Sequence, residues 1–576
     1  MSDVVERARV WILGDPDHRT RAELSALLDS GNRNELADRM DGTLAFGTAG
    51  LRGIVEAGSN RMNRATVIRT TRGLADYLLA RYGGVPAAPV VVGRDARPSS
   101  AEFMRDTVGV LSAAGLQVRF WEEEVPTPLV AYAVRVQGAC AGVMITASHN
   151  PPRDNGYKVY DANGAQIIPP VDSAIAAAID RVGPAAAVPI TDAPLRKAGE
   201  GAGPVLPDVW HGYRKELARL RSPATVDPGL RIVYTPMHGV GWRYMRELLA
   251  EAGYQDVHPV DEQAEPDGHF PTLPFPNPEE PGALDLALAM ARRVGADLVL
   301  ANDPDADRLG VAVPGAKGWV SLTGNQVGVL LADHILSNWP APEGPLGRQP
   351  LIISTIVSTP MAGLVAAAGG ARFETTLTGF KWIMNAALDI EAAGKSALAF
   401  GFEEALGHAV GGLAYDKDGL SAALFMADLA SECRKRGETV LDRLEALYRR
   451  FGLWVSVQRS IRRPGSAGAS EITGAMRRLA EDPPDRLGGV AVVGMTDYRK
   501  GAGRRPRWLG AASLIELRLQ DRTRVLVRPS GTEPKLKMYV DSTRPVAGLD
   551  DPSGTERDLE VHAGVVASDL AGHIGL

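Results

Sequence analysis

Short apolar runs recur along the chain, each followed by a polar loop and then by residues at helical spacing. Leucines at that spacing fill residues 20–40, and a helix is expected over about 64–82. The strand Pro89 to Val92 leads through Gly93-Arg94-Asp95-Ala96-Arg97-Pro98 into a helix near 99–114. Ala139 to Ile145 is apolar throughout and long enough for one buried strand. It stops at Thr146-Ala147-Ser148-His149-Asn150, and Pro151 and Pro152 can neither donate to a ladder nor continue a helix. Asn155-Gly156 reads as a turn and Tyr157 to Tyr160 as a returning strand. The same beat returns in the helix Val209 to Leu220, the strand Leu230 to Tyr234 and the helix Trp242 to Ala252. The strand Ala296 to Ala301, the helix Asn325 to Ser337 and the strands Leu351 to Ser354 and Ala397 to Phe400 continue it. Glu438 to Tyr448 reads as a helix, and Arg524 to Val527 as a late strand. Such alternation predicts the α/β class. Residues 183–207, rich in Gly, Pro and Ala, read as a linker, and the five prolines of 271–281 as a stiff extended loop.

Composition sharpens this only a little. At 576 residues, roughly 150 per domain gives about four domains. A formal charge of −6 argues against a nucleic-acid partner, which needs a basic surplus. Cys140 and Cys433, the two cysteines, suggest neither a disulfide frame nor a zinc site, which fits a reducing cytosol. The N-terminus lacks the basic and apolar regions of a signal peptide, and no apolar run approaches 18 residues, so no membrane partner is expected.

Candidate chemistry sits on the loops. Ser148 lies just past a strand end, the edge of an open α/β sheet where ligands bind. On its own the stretch reads equally as a polar loop capping a core strand. His149 is adjacent, and neighbours in sequence seldom face each other, so no protease-like Ser-His pair is expected; nor does a G-x-S-x-G elbow surround the serine. Lys158 would stand near the same loop. Asp303, Asp305 and Asp307 alternate behind an apolar strand and are expected to point one way from an extended loop. Three like charges need a cation, and hard oxygen donors select Mg²⁺ or Ca²⁺. An EF-hand is excluded, because Arg308 stands where its glycine belongs and Pro314 where its glutamate belongs. Met237-His238-Gly239-Val240-Gly241 lacks the third glycine of a dinucleotide fingerprint, and Gly394-Lys395-Ser396 lacks the first glycine of a P-loop. Phe46 to Gly53 makes a tight, glycine-rich loop with Arg52 available to an anion. Glu403 could accept two sugar hydroxyls, and Asp418 is a plausible helix cap. Arg528-Pro529-Ser530-Gly531-Thr532-Glu533-Pro534-Lys535 suits a phosphate dianion. Arg504, Arg505 and Arg507 read as a solvated loop.

Taken in order, these loops resemble the active-site motifs of the α-D-phosphohexomutases. Thr146 to Pro151 is similar to the family's phosphoserine loop, Asp303 to Arg308 to its metal loop, and Gly401 to His408 to its sugar loop. Arg528 to Lys535 is similar to its phosphate loop, and the 46–53 loop to its first active-site loop. The resemblance implies a four-domain architecture around a central cleft, with three α/β domains of mixed sheets and a smaller C-terminal α+β domain. The expected boundaries are 1–206, 207–318, 319–450 and 451–576. It implies a phosphoryl group on Ser148, with Mg²⁺ on Asp303, Asp305, Asp307 and a phosphoryl oxygen of that serine. Arg308 would sit beside that group, and Arg52 and His149 belong to the same catalytic set. Lys158, His408 or Lys417 would serve as the base. Thr378, Gly379, Lys381, Glu403, His408, Arg528, Ser530, Gly531, Thr532 and Lys535 would bind the sugar phosphate, and a sugar bisphosphate would act as intermediate and activator.

The Pro271–Pro281 wording and Thr378-Gly379-Phe380-Lys381 resemble the branch holding phosphoglucomutase 2 and phosphopentomutase. Ala405 stands where many relatives carry Ser, which loosens the expected sugar discrimination. Glucose 1-phosphate is the expected substrate, with ribose and deoxyribose 1-phosphate as competitors, mannose 1-phosphate behind them, and bisphosphate synthesis as a neighbouring chemistry. A phosphatase would not need Glu403 and the Arg528 loop together, and a mere sensor would be expected to lose Ser148 or an aspartate.

Overall fold

The computed structural model describes residues 2–44, 50–191, 202–204, 208–222, 226–339, 348–463, 465–530, 535–545 and 552–576. They fall into two compact units, residues 1–314 with 407–428, and residues 315–406 with 429–576.

In the first unit the leucine repeat of 20–40 is two helices, not one: His18–Asp29 and Arg33–Met40. Gly31 adopts a left-handed φ of 68°, and the Asn32 side chain caps the second helix by accepting from the Glu35 amide. With Ser2–Gly14 they bury Ala8, Leu24, Leu36 and Met40 in a small core of their own. The main sheet has six strands in the order Leu51–Ile54, Asp154–Asp161, Ala141–Ile145, Val90–Arg94, Val118–Phe120 and Ala202–Pro204. Val90–Arg94 runs parallel to Ala141–Ile145, whereas Asp154–Asp161 returns antiparallel, with Met144 opposite Lys158. Asn155 and Gly156 thus lie inside that strand; the chain reverses earlier, at 148–153, because Pro151 and Pro152 end the pairing there. The expected linker is partly structure: Ala185–Ala187 is a 3₁₀ turn, and Ala202–Pro204 pairs with Val118–Phe120. Residues 192–201 and 205–207 of that stretch lie outside the described residues.

A second sheet of this unit carries Leu309–Gly315, Leu298–Asn302, Ile232–Thr235 and Val257–Pro259 in that order. Leu298–Asn302 is parallel to Ile232–Thr235 and antiparallel to Leu309–Gly315, so residues 303–308 form a tight hairpin at the strand ends. The proline-rich stretch is wound into successive turns rather than extended. Phe270 and Leu273 are buried there with Met237 and Leu284, and this apolar contact outweighs the prolines' preference for open chain.

The second unit opens with the helix Gly324–Ser337, whose Thr323 and Gln326 form a capping box. The parallel strands Arg372–Thr376, Gln349–Thr355 and Ser396–Glu403 follow, with the helices Met361–Ala368 and Phe380–Ala392 in the connections. The helix Val440–Phe451 ends at Gly452 and leads into a six-stranded antiparallel sheet. Leu453–Arg462 pairs there with Lys535–Arg544, not with its neighbour in sequence. The helices Gly465–Glu481 and Pro552–His573 accompany it, and Leu479, Val525, Met538 and Leu570 lie in its core. In the arginine cluster the expected solvated loop fits the exposed Arg504 and Arg507, but not Arg505. Arg505 stacks 4.9 Å over Tyr498 and donates to the Tyr498 and Leu509 carbonyls. Arg507 forms a two-bonded pair with Asp389. An arginine with several fixed acceptors near it is worth more as a structural fork than as a solvated charge.

Candidate active site

Ser148 follows the buried strand Ala141–Ile145, and the Thr146 hydroxyl accepts its amide at 2.8 Å. Its φ of 52° is unusual for a residue with a Cβ. That twist turns the hydroxyl toward Asp303 Oδ2, 2.7 Å away, and places it 3.2 Å from His149 Nδ1. Adjacent residues therefore do meet here, against expectation, because a left-handed residue brings successive side chains to one side. The His149 ring rests edge-on against Phe275, 6.0 Å between centroids. Burial and the charges of Arg308 and Arg52 hold its pKa well below the ordinary imidazole value.

The aspartate loop is a turn, not an extended segment. Ala306 adopts a φ of 55°, and Asp303 Oδ1 accepts the amides of Asp307 and Arg308 at 3.1 and 2.9 Å. The turn brings the three carboxylates together, with one oxygen of each within 4.8 Å of the others. All three are fully buried. Asp305 Oδ2 accepts from Lys158 Nζ at 2.8 Å and from the Thr127 hydroxyl at 2.6 Å. Lys158 also reaches Asp307 at 2.8 Å, and Lys417 Nζ lies 3.3 Å from the same carboxylate. Burial, reinforced by Asp305 and Asp307, pushes the Asp303 carboxyl well above its usual range. Burial works the same way on Asp305, but the Lys158 ammonium overrides it and holds Asp305 low. Burial would lower Lys158, but Asp305, Asp307 and Asp416 together raise it, so it stays an ammonium here. The Oδ1 atoms of Asp305 and Asp307 are buried without a hydrogen-bond partner. Two orphaned carboxylate oxygens beside a third carboxylate fit a hard divalent cation.

Around this cluster, Arg52 Nη1 donates to Asn150 Oδ1 at 3.0 Å. Gly47 of the glycine-rich loop lies outside the described residues, whereas Arg52 lies on the strand Leu51–Ile54. Arg308 is half-buried, 3.8 Å from Glu279, and bridges to Gly407 through its backbone. His408 is fully buried, and its carbonyl accepts the Asp418 amide at 2.7 Å. Asp418 caps the helix Gly419–Lys435 as expected, accepting the Leu420 and Ser421 amides. Gly419 is required here: a Cβ would come within 2.5 Å of Asn302 Nδ2 and into the Arg308 carbonyl. Sequence reasoning missed three buried residues of this unit. Asp416 accepts from Tyr160 and Gln166, both at 2.7 Å; Thr127 holds Asp305; and Arg97 grips the serine turn. Only Arg97 left a signal, a second arginine in the loop just after a buried strand.

The remaining candidates lie in the second unit. Glu403 ends the strand Ser396–Glu403 and is half-buried. Its neighbour Glu404 accepts from Thr355 at 3.0 Å; burial raises its pKa, opposed by that bond and by the Arg528 and Lys537 charges. Arg528 Nη2 contacts the Tyr539 hydroxyl at 3.4 Å, so it is half-buried rather than exposed. The Ser530 amide donates to the Lys535 carbonyl at 2.7 Å. Gly531 and Thr532 lie outside the described residues. Thr378, Gly379 and Lys381 are half-buried at the start of the helix Phe380–Ala392, and the Leu377 amide donates to the Trp508 carbonyl at 2.8 Å.

A serine hydroxyl beside a triple carboxylate and several fixed cations is an arrangement suited to phosphoryl transfer. Comparison with known proteins gives its family. Models of the phosphoglucomutase/phosphomannomutase family match in order: α/β/α domain I over residues 43–185, domain II over 211–317, domain III over 323–451 and the C-terminal domain over 499–551. A Haemophilus influenzae protein named "Probable phosphomannomutase" is 41% identical over 504 residues, covering 86% of this chain and 95% of its own. The phosphoribomutase of Saccharomyces cerevisiae is 35% identical over 585 residues, covering 94% and 93%. Other relatives are named phosphopentomutase and glucose 1,6-bisphosphate synthase. The crystal structure of the Paramecium phosphoglucomutase pp63/parafusin in its open form shares the fold, with a TM-score of 0.70 at 18% identity over 93% of this chain and 97% of that one. The chain belongs to the phosphoglucomutase/phosphomannomutase family and is a sugar-phosphate mutase, an intramolecular phosphotransferase. Among the described residues no helix is long and apolar enough to cross a membrane.

Proposed function

We propose that the chain interconverts glucose 1-phosphate and glucose 6-phosphate through a phosphoserine at Ser148 and a glucose 1,6-bisphosphate intermediate. The observation that carries this reading is the Ser148 hydroxyl, 2.7 Å from Asp303 at the mouth of the buried carboxylate triad. The phosphoryl group leaves Ser148 Oγ for the sugar O6, whose proton passes to a base of the site. The bisphosphate turns around, and Ser148 Oγ takes the phosphoryl from O1, leaving the 6-phosphate. Asp303, Asp305, Asp307 and a phosphoryl oxygen on Ser148 would hold Mg²⁺, which when bound supplies positive charge to the group in transfer. Arg308 and Arg52 stabilise the equatorial phosphoryl oxygens. Lys158 and Lys417, both ion-paired with Asp307, or His408 would serve as that base. In the second unit, Glu403 receives the sugar hydroxyls beside Thr378, Gly379 and Lys381. Arg528 and the Ser530-to-Lys535 loop hold the phosphate that is not being transferred. The two cysteines, both free and buried, fit a cytoplasmic setting.

A second reading, pentose 1-phosphate to 5-phosphate, is favoured by the relatives named phosphoribomutase and phosphopentomutase. It is also supported by Ala405, which withholds a hydroxyl from the sugar loop. A panel of glucose, ribose, deoxyribose and mannose 1-phosphates, compared by kcat/KM with bisphosphate release monitored, tests the choice. Glucose is expected to lead. A tenfold preference for a pentose, about 1.4 kcal/mol in the transition state, reassigns the substrate, and accumulation of free bisphosphate reassigns the reaction.

A further inference from the structure

Ser148 holds a left-handed backbone conformation that a residue with a Cβ rarely adopts, and such strain persists only where its surroundings over-determine it. The surroundings here are chiefly one side chain. Arg97 is 2% exposed and uses every donor of its guanidinium. Nη2 donates to the Ser148 and Asn150 carbonyls at 2.7 and 2.6 Å, and Nη1 to the Pro151 and Asp154 carbonyls at 2.6 and 2.8 Å. Nε donates to Asp95 Oδ2 at 3.2 Å, and Asp95 is itself held by the Ser100 hydroxyl at 2.5 Å. Four carbonyls spread over seven residues are thereby drawn to one planar fork. A lysine ammonium has three donors and no plane, and it could not serve them.

The fork is backed in turn by the proline-rich loop. The Phe270 ring lies 5.1 Å from the Arg97 guanidinium carbon and is itself buried with Met237, Leu273 and Leu284. Gly268 passes so close that a Cβ there would come within 2.5 Å of Arg97 Cα. Further along the same loop, Phe275 meets His149 and Glu279 stands 3.8 Å from Arg308. The loop thus touches the serine turn and its neighbours at three separate points.

We infer that Arg97, backed by Phe270, is a positioning residue for the reaction: it fixes the Ser148 turn so that Oγ faces Asp303, and the loop 268–279 supplies the wall behind it. Neither side chain need touch the sugar. Loosening the turn misplaces Oγ, and a displacement of about 1 Å costs on the order of 10²-fold in rate. This inference rests on the reading of Ser148 as the phosphoryl carrier.

The test uses the full chain labelled by ³²P-glucose 1,6-bisphosphate, with the label mapped by peptide analysis. Single-turnover transfer to the preferred sugar 1-phosphate is followed per labelled enzyme, alongside the steady-state KM. Arg97→Lys is expected to keep its label on Ser148, keep its KM, and slow transfer by on the order of 10²-fold. Phe270→Leu is expected to slow transfer about tenfold, again at unchanged KM. If Arg97→Lys does not fold, Phe270→Leu decides alone. Wild-type transfer per labelled molecule in a folded variant overturns the inference, even where fewer molecules take up label, since that pattern marks a merely structural role. Label on a residue other than Ser148 in the wild type overturns the carrier reading instead, and this is seen before any variant is made.

Discussion

The central groups of the candidate site differ in burial between the two units. In the first, Ser148, Lys158 and all three aspartates are buried, and fixed partners surround them. In the second, Thr378, Lys381, Glu403, Arg528, Ser530 and Lys535 are all half-buried. Groups that stabilise developing charge work best when oriented in advance and shielded from water. Groups that recognise an incoming sugar phosphate must stay accessible to it. On the proposed reading, the first unit is organised for reaction and the second for capture. The contrast also has an energetic side, since three clustered carboxylates are costly until cations offset them.

The strongest way to break this contrast is at the serine. Ser148→Ala should lower mutase turnover on the order of 10³-fold or more while leaving sugar-phosphate affinity in place, measured by steady-state kinetics and by ligand titration. Residual turnover near the wild-type rate would move the nucleophile elsewhere. Asp305→Asn should cost about 10²–10³-fold in kcat, and chelator should abolish wild-type activity until Mg²⁺ is restored. Near-normal turnover of that variant would remove the triad from the reaction.

Arg528→Ala probes the other unit and should act differently. It should raise KM by the equivalent of about 1.5–3 kcal/mol with little change in kcat, because it removes a charge-assisted contact to a phosphate already present in the ground state. A fall in kcat at constant KM would show that the second unit also serves the chemical step.

The smallest effect sets His149 of the first unit apart from Glu404 of the second by the sign of a pH dependence. Burial and the Arg308 and Arg52 charges depress the His149 pKa, so below about pH 6.5 the unfolded chain binds a proton that the folded chain refuses. Stability should fall there by up to about 1.4 kcal/mol per pH unit, and His149→Gln should flatten that limb in urea unfolding. Glu404 has the opposite sign. Burial raises its pKa, so the folded chain keeps its proton longer, and its contribution is lost as pH rises above about 4.5. An unchanged acid limb in His149→Gln would mean that the imidazole is not desolvated.

Much of this molecule is written locally. Apolar runs marked the strands Ala141–Ile145, Leu298–Asn302 and Gln349–Thr355 to within a few residues, because a buried strand needs little beyond a short run of apolar side chains. The clustering of the three aspartates was legible for a related reason: carboxylates at fixed short spacings behind an apolar strand are brought together by one local turn. Asp418 was legible as a helix cap because a cap bonds to amides two and three residues ahead.

What the chain order could not show is how distant pieces meet. Lys158 lies between Asp305 and Asp307 because an antiparallel register sets it beside Met144, while a separate sheet delivers the aspartates 147 and 149 positions later. The Ser148–His149 contact depends on a left-handed φ that no residue type at that position announces. Arg505 looks like part of any solvated basic run until Tyr498 is brought to it. Arg97 is the clearest case. Its four carbonyl acceptors belong to residues 51 to 57 positions away, and a backbone carbonyl carries no sequence signature, since every residue has one. The sequence alone determined which reacting groups the chain possesses. Only the tertiary structure decided how they are aimed, because aim is set by sheet register and backbone torsion rather than by residue identity.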